Sequence, residues 1–145
     1  MQIDEILNMW DKDCLIDDNH LDTSSIRTAS LHSKYLRILV NTKLKLTKLN
    51  SEYASLRKMK IKYYRGELTK EELEWCGWKQ YLYNKPLKSE MEEVLNGDTD
   101  LLTCLNKIKY IEAVIYALES IMNQIKQRDW QIKNSIEYKK FISGG

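Results

Sequence analysis

The sequence predicts an all-α fold in which two long helices are joined by shorter ones. Five glycines and a single proline, Pro86, occur in 145 residues, whereas a β-rich fold with many tight turns needs more of both. Leucine, isoleucine, lysine and glutamate are abundant, a composition typical of long helices. Apolar residues also recur at intervals of three and four along two long segments. We therefore expect one helical domain, an elongated protomer, over residues 1–145.

The first 22 residues form an acidic segment with one short helix. Four apolar residues have helical spacing: Ile3, Ile6, Leu7 and Trp10. This spacing predicts an amphipathic helix over residues 3–12. Residues 13–22 are expected to be an irregular connector, after which Asp22 or Thr23 can cap the next helix with a side-chain oxygen.

A long basic helix is predicted over residues 23–65. Gly66 follows it, at the place of a left-handed C-terminal cap. Positions on the apolar stripe of this helix are separated by three and four, which is heptad spacing: Tyr35, Leu39, Thr42, Leu46, Leu49, Tyr53 and Leu56. Lys60 and Tyr63 continue the register, so we expect the stripe to become solvated near its end.

Short helices are predicted between residues 67 and 97. Thr69 and Glu72 have the spacing of a capping box, and Pro86 favours the first turn of a helix that stops at Gly97. The stretch Trp75–Tyr83 is rich in tryptophan and tyrosine. Clustered aromatic residues usually fill a core or a subunit contact, the interpretation we favour, although they could also form a second base-stacking surface.

The last helical region, residues 98–142, has the clearest periodicity. Its apolar positions step by three and four over five heptads, interrupted only by Asp129. Such a stripe predicts helix–helix association, between chains or within one. The residues that we expect to support oligomerisation are Ile108, Ile111, Ile115, Leu118, Met122, Ile125 and Ile132.

Several classes of function are disfavoured by the residues that the chain carries. Two histidines and three scattered cysteines lack the close pairing of a zinc site. The dense carboxylates have no nucleophile or base arrangement beside them, and no phosphate-binding glycine loop occurs. No stretch approaches the ~18 apolar residues of a membrane helix. We expect no enzyme activity, metal or cofactor, and a location in a reducing cytoplasm.

Charge is strongly segregated along the chain. Residues 1–26 hold seven acids and one base, whereas residues 27–65 hold eleven bases and one acid. Residues 66–100 hold nine acids and four bases, and residues 101–145 hold seven bases and four acids. A field of one sign attracts partners of the opposite sign, so the basic helix predicts an anionic partner.

The densest basic cluster ends the first long helix. It combines cations that can track phosphates with rings that can stack on exposed bases. Its residues are the predicted binding site for single-stranded DNA: Arg57, Lys58, Lys60, Lys62, Tyr63, Tyr64 and Arg65. Two alternatives remain, namely a structural coiled-coil protein with merely solvated lysines, and a protein that binds duplex DNA or RNA.

Four short blocks of the sequence resemble the UvsY-type recombination mediators of T-even-like phages. They are Cys14–Asp17, Leu31–Tyr35, Leu56–Tyr64 and Lys88–Leu95. The resemblance implies a helical protein that forms a ring-like homo-oligomer, a hexamer or heptamer. It also implies single-stranded DNA, a RecA-like phage recombinase and the phage single-stranded-DNA-binding protein as partners.

The resemblance also concerns individual residues. A Lys-x-Arg pair before a double tyrosine supports strand binding in this family, and Lys58 and Lys60 stand at the matching positions. The second residue is lysine here, which keeps the charge but loses bidentate phosphate geometry. Arg57 and Lys62 are expected to compensate. The C-terminal region supports oligomerisation in the family.

Overall fold

A computed structural model describes residues 1–144, and five α-helices account for most of them. In chain order they are α1 (Ile3–Asp13), α2 (Leu21–Tyr64), α3 (Lys70–Cys76), α4 (Met91–Asn96) and α5 (Thr99–Ile142). No strand occurs within residues 1–144. The predicted all-α class, with two long helices joined by shorter ones, is confirmed.

Local signals in the sequence predicted several helix ends correctly. Gly66 has a φ of +70° just after α2, a backbone conformation that favours glycine. The capping box at α3 is formed, since the hydroxyl of Thr69 accepts from the Glu72 N–H and the Glu72 carboxylate accepts from the Thr69 N–H. These reciprocal bonds satisfy backbone donors that the first turn leaves free.

Two expected helix starts were wrong. Residues 77–90 are not helical, and α4 begins at Met91 instead of at Pro86. The second wrong start is that of α2, which begins at Leu21, so neither Asp22 nor Thr23 is its cap. A turn closed by the His20 N–H and the Asp17 carbonyl (3.0 Å) leads directly into this helix, which explains the earlier start.

The chain packs as two compact units. The first unit comprises Met1–Lys45 and the chain from Ile111 onward, and the second comprises Leu46–Tyr110. Both boundaries between the units fall inside helices, one in α2 and one in α5. Composition gave no indication of them, because no glycine- or proline-rich linker marks either position.

Three helices supply the core of the first unit. Within it, α2 and α5 run antiparallel, since Thr28 lies near Ile125 and Ile38 lies near Ile111. Removal of apolar surface from water stabilises this packing. The buried core residues are Ile6 from α1, Leu31, Tyr35 and Leu39 from α2, and Val114, Leu118, Ile121 and Ile125 from α5.

Buried polar contacts fasten the acidic N-terminal segment to this core. The Asp13 carboxylate accepts from Arg27 (2.8 Å), Lys34 (2.5 Å) and the Tyr35 hydroxyl (2.8 Å). Burial raises the pKa of Asp13, but its hydrogen bonds and the neighbouring cations outweigh that effect and leave the pKa below its usual value. Arg128 donates to the carbonyl oxygens of Cys14 and Leu15. Asp13 therefore has a structural role in addition to its place in an acidic segment.

A smaller core organises the second unit. Three residues of α4 and α5, namely Met91, Leu95 and Leu101, are buried there. Partly buried residues of α2 pack against them, including Tyr53, Leu56, Ile61 and Tyr64. The heptad stripe predicted for the first long helix thus continues into this unit as its inward face.

The predicted oligomerisation stripe of α5 is packed within the chain. Leu118 and Ile125 are 0% and 2% exposed inside the core of the first unit. Ile115 and Met122 pack against the same core, and Ile108, Ile111 and Ile132 are buried as well. The periodicity therefore reflects packing within one chain, which was the second of the two possibilities. A role of this stripe in oligomerisation stays a prediction.

A charge in this core should unfold the first unit instead of only dissociating an oligomer. We expect Ile125→Asp to lower the free energy of unfolding by several kcal/mol, because the carboxylate would be buried without a partner. Denaturant unfolding followed by circular dichroism measures the change. Gln124→Asp, at an exposed position next to it, should have little effect. A folded Ile125→Asp protein with normal stability and a reduced mass in light scattering would restore the intersubunit assignment.

Candidate nucleic-acid interface

A polar stripe runs along the outward side of α2 in the second unit. Its positions are separated by three and four, so they share one helical face: Lys48, Ser51, Ser55, Lys58, Lys62 and Arg65. All are exposed except Lys62, which is half-buried. Within residues 1–144, none of the four cations on this stripe forms an ion pair with a carboxylate. We call these six residues the outer stripe.

Arg57 lies beside the outer stripe and is already paired. Its guanidinium donates to the carboxylate of Glu92 in α4. The Glu92 side chain is 71% exposed, and an exposed pair of this kind contributes little to stability. Arg57 can therefore exchange partners, but part of its charge is neutralised in this structure.

Lys60 lies on the opposite side of α2, where its ammonium is buried. The residue is 5% exposed, and its Nζ lies 2.7 Å from an Asp100 carboxylate oxygen and 3.2 Å from one of Asp98. The same nitrogen lies 4.1 Å from the ring centroid of Trp78, within the range of a cation–π interaction. The end of the apolar stripe was expected to be solvated. That expectation was wrong for Lys60, because Asp98, just before α5, and Asp100, in its first turn, lie beside the ammonium.

The double tyrosine belongs to the same buried network. The Tyr64 hydroxyl donates to the Asp98 carboxylate (2.6 Å), and the Tyr63 hydroxyl donates to the Lys79 carbonyl (2.7 Å). Their rings pack edge-on against each other and against Trp78 and Tyr81 at centroid separations of 5.0–5.3 Å. Burial, followed by the bond to Asp98, raises the pKa of Tyr64 above its usual value. Neither ring is freely available to stack on a base.

Asp98 joins the network to the start of α5. One carboxylate oxygen accepts the Leu101 N–H (3.0 Å), which is an orphan donor of the first helical turn. The other accepts from Tyr64 and from Lys60. Burial raises the pKa of Asp98, but these donors together outweigh it and lower the pKa below its usual value. Asp98 thus stays ionised and fixes the end of α2 against the start of α5.

The aromatic stretch Trp75–Tyr83 divides into packed and exposed residues. Trp78 and Tyr81 are half-buried in the network, as the favoured interpretation expects. Trp75 and Tyr83 are 90% and 80% exposed. One stretch therefore contains both cluster residues and free rings.

The structure adds basic residues that the sequence reasoning missed. The Tyr63 hydroxyl donates to the backbone carbonyl of Lys79. The Lys85 side chain lies beside Gly66, where a Cβ added to the glycine would be 3.3 Å from the Lys85 Cε. Residues 79–85 therefore lie against the end of α2, with the Lys79 backbone at Tyr63 and the Lys85 side chain beside Gly66. Residues 66–100 carry a net negative charge, so the charge count gave no indication of these two lysines. The signal in the sequence is a pair of lysines on either side of the aromatic residues Tyr81 and Tyr83.

Other kinds of site find no support within the part of the chain that the structure describes. No group of three His, Cys, Asp or Glu side chains could hold a metal ion there. None of the helices in residues 1–144 is long and apolar enough to cross a membrane. The outer stripe and the adjoining segment 79–85 are thus the surface whose chemistry fits a polyanion.

Removal of the buried Lys60 charge should destabilise the fold. We expect Lys60→Ala to lower the free energy of unfolding by about 3–5 kcal/mol, because Asp98 and Asp100 would lose their cation. Lys58→Ala removes an exposed, unpaired charge and should change it by less than about 0.5 kcal/mol. Chemical denaturation of both variants provides the comparison, and equal stabilities would contradict the structural role of Lys60.

The lowered pKa of Asp98 predicts a contribution to stability that depends on pH. Because the folded pKa lies below the unfolded one, the contribution is full above pH ~4 and is lost as the pH falls through the folded pKa. Asp98→Asn should therefore be less stable than the parent at pH 7, and this difference should shrink below pH ~4. Unfolding free energies between pH 7 and pH 2.5 test this, and a constant difference would contradict it.

Comparison with known proteins identifies a family that matches the chain. The family model described as "Recombination, repair and ssDNA binding protein UvsY" matches residues 9–145. The chain is similar to the recombination protein uvsY of Enterobacteria phage T4, with 23% identity over 144 residues and 99% coverage of each chain.

Solved structures show the same fold. A crystal structure of the bacteriophage T4 recombination mediator protein UvsY (lattice type II) matches with a TM-score of 0.82 and 23% identity, over 100% of this chain and 99% of the other. A second crystal form (lattice type IV) gives a TM-score of 0.85 and 21% identity, over 97% and 99%. Since the family model covers nearly the whole sequence, this chain belongs to the UvsY family of recombination, repair and single-stranded-DNA-binding proteins.

Proposed function

We propose that this protein is a recombination mediator that binds single-stranded DNA and helps to load a RecA-like recombinase. The strands in question are coated by a single-stranded-DNA-binding protein, and the mediator carries out no reaction of its own. The observation that carries the proposal is the outer stripe, where four cations without ion pairs share one side of α2. The family description and the similarity to the T4 mediator support it.

The outer stripe suits a flexible polyanion. From Lys48 to Arg65 it extends along 17 residues, or about 25 Å at the rise of an α-helix. Ser51 and Ser55 separate the cations with small side chains that let a strand approach the helix backbone. Cations without ion pairs can exchange their counterions for phosphates, and the release of those counterions favours binding.

The proposed phosphate contacts are a subset of the predicted cluster. Lys58 and Arg65 are exposed, and Lys62 is half-buried with Glu72 in its vicinity. None of the three has an ion pair, so we assign them as the direct contacts. Arg57 contributes after exchange with Glu92. Lys60, Tyr63 and Tyr64 act through the buried network, which fixes the end of α2 that carries the contacts. The family's basic pair is thus divided between a contact, Lys58, and a positioning residue, Lys60.

Assembly into a ring-like homo-oligomer, a hexamer or heptamer, is part of the proposal. Since most of the heptad stripe of α5 is buried within the chain, we assign the contact between copies to another surface. The last turns of α5 expose large apolar side chains that suit such a contact: Trp130, Tyr138, Phe141 and Ile142. Repetition of the outer stripe in every copy would strengthen individually weak strand contacts through multivalency.

Strand binding is tested by removing two outward charges. Lys58→Ala combined with Lys62→Ala should weaken affinity for single-stranded DNA and reduce the slope of log affinity against log salt by about 0.7 for each phosphate that the variant no longer neutralises. A salt titration with a fluorescent oligonucleotide measures both. The matched control is Lys126→Ala with Lys133→Ala, which removes two exposed lysines from α5.

The outcome separates the proposed function from its alternatives. A parent protein that binds no single strands would point to a structural helical protein. Equal competition by duplex DNA or RNA would favour a general nucleic-acid binder. Identical affinities and slopes for the parent and the double variant would place the strand elsewhere, with the basic residues of 27–48 as the next candidates.

A further inference from the structure

We propose that Tyr83 is a platform on which a base of the bound strand stacks, with phosphates held by Lys79 and Lys85 beside it. The inference rests on the proposed function, because it names contacts within the same strand site. It concerns residues 79–85, which lie outside the basic cluster that the sequence predicts as the binding site. It assigns the stacking role to a residue other than the double tyrosine.

Exposure selects Tyr83 among the rings at this end of the second unit. Its side chain is 80% exposed, and no hydrogen bond or ion pair within residues 1–144 engages its hydroxyl. Tyr63 and Tyr64 are half-buried, and both of their hydroxyls are engaged. A base needs an open ring face for stacking, and Tyr83 offers one.

The segment that carries Tyr83 is anchored, although the ring is largely exposed. The Tyr83 centroid lies 5.5 Å from that of Tyr81, which in turn packs at 5.0 Å against Tyr64. Before it in the chain, the Lys79 carbonyl accepts the Tyr63 hydroxyl, and after it the Lys85 side chain lies against Gly66. A platform held at both sides loses less conformational freedom on binding than a free loop does.

Local charge indicates what occupies this surface. Lys79 and Lys85 flank Tyr83 in the chain, and Arg65 precedes the glycine that Lys85 contacts. None of these three cations pairs with a carboxylate within the described residues. An open ring among unpaired cations suits single-stranded nucleic acid, which presents a base face and a phosphate at each step. An apolar protein surface would leave the three charges without partners.

Trp75 provides an internal contrast. It is 90% exposed in the same unit, but Glu71 and Glu74 lie one turn and one residue before it on α3. Two carboxylates beside the indole would repel a phosphate backbone. Exposure alone therefore does not make a stacking platform, and the charge around the ring distinguishes the two sites.

The experiment compares Tyr83→Ala, Tyr83→Phe and Trp75→Ala with the parent in the intact assembly. Each protein is titrated with a short fluorescent single strand over a range of salt concentrations. Loss of one stacked base should weaken affinity about fivefold or more, with an unchanged salt slope, because the ring contacts no phosphate. Tyr83→Phe retains the ring and should bind like the parent. Trp75→Ala should also bind like the parent.

A crosslinking measurement locates the contact independently of any substitution. Irradiation of the parent bound to a strand containing 5-iodouracil should attach the base to a peptide that includes Tyr83. Attachment at Tyr63 or Tyr64, with none at Tyr83, would overturn the inference.

Failure of the inference and failure of the proposed function have different signatures. If Tyr83→Ala binds like the parent while the Lys58 and Lys62 double variant binds weakly, the stacking assignment is wrong and the strand-binding function stands. If Tyr83→Ala loses only association with a purified protein partner, the surface is a protein-docking site and the inference is overturned. If the parent binds no single strands at all, the proposed function fails as well.

Discussion

The buried charge of Lys60 is the constraint on which the second unit depends. Its ammonium lies within 2.7–3.2 Å of Asp100 and Asp98, and Asp98 in turn caps α5 and accepts the Tyr64 hydroxyl. A lysine that is 5% exposed persists only where carboxylates compensate for its lost hydration. Because this contact fixes the rotation of α2 about its axis, it also determines which side chains face outward as the outer stripe.

The sequence predicted the parts of this arrangement that depend on near neighbours. Heptad spacing identified the inward face of α2, and a single glycine and a capping box located helix ends. Lys60 was assigned to solvent because a cation on an apolar stripe is normally expected to reach water. Its partners lie 38 and 40 residues further along the chain, and no local rule connects residues so far apart.

For the long helices, periodicity identifies the buried face of a helix but does not identify what packs against that face. Periodicity identified the stripe of α5 correctly, but it could not tell whether Leu118 and Ile125 meet another subunit or their own chain. The structure places both in one buried cluster of their own chain, together with Tyr35 and Leu39 of α2. The division into two units escaped the sequence for a similar reason, since each long helix passes through a unit boundary without a break in its pattern.

The positions of Lys58 and Lys60 bear on how a basic pair near a double tyrosine functions. Successive residues of an α-helix are turned by about 100°, so side chains two residues apart point in nearly opposite directions. One strand lying on one side of α2 therefore cannot touch both lysines directly. In this chain the division is complete, because Lys58 is exposed and Lys60 is held by two carboxylates. Weaker binding after removal of both would combine the absence of a phosphate-binding charge with a weakened fold, whereas single substitutions measured for both stability and salt dependence separate the two effects.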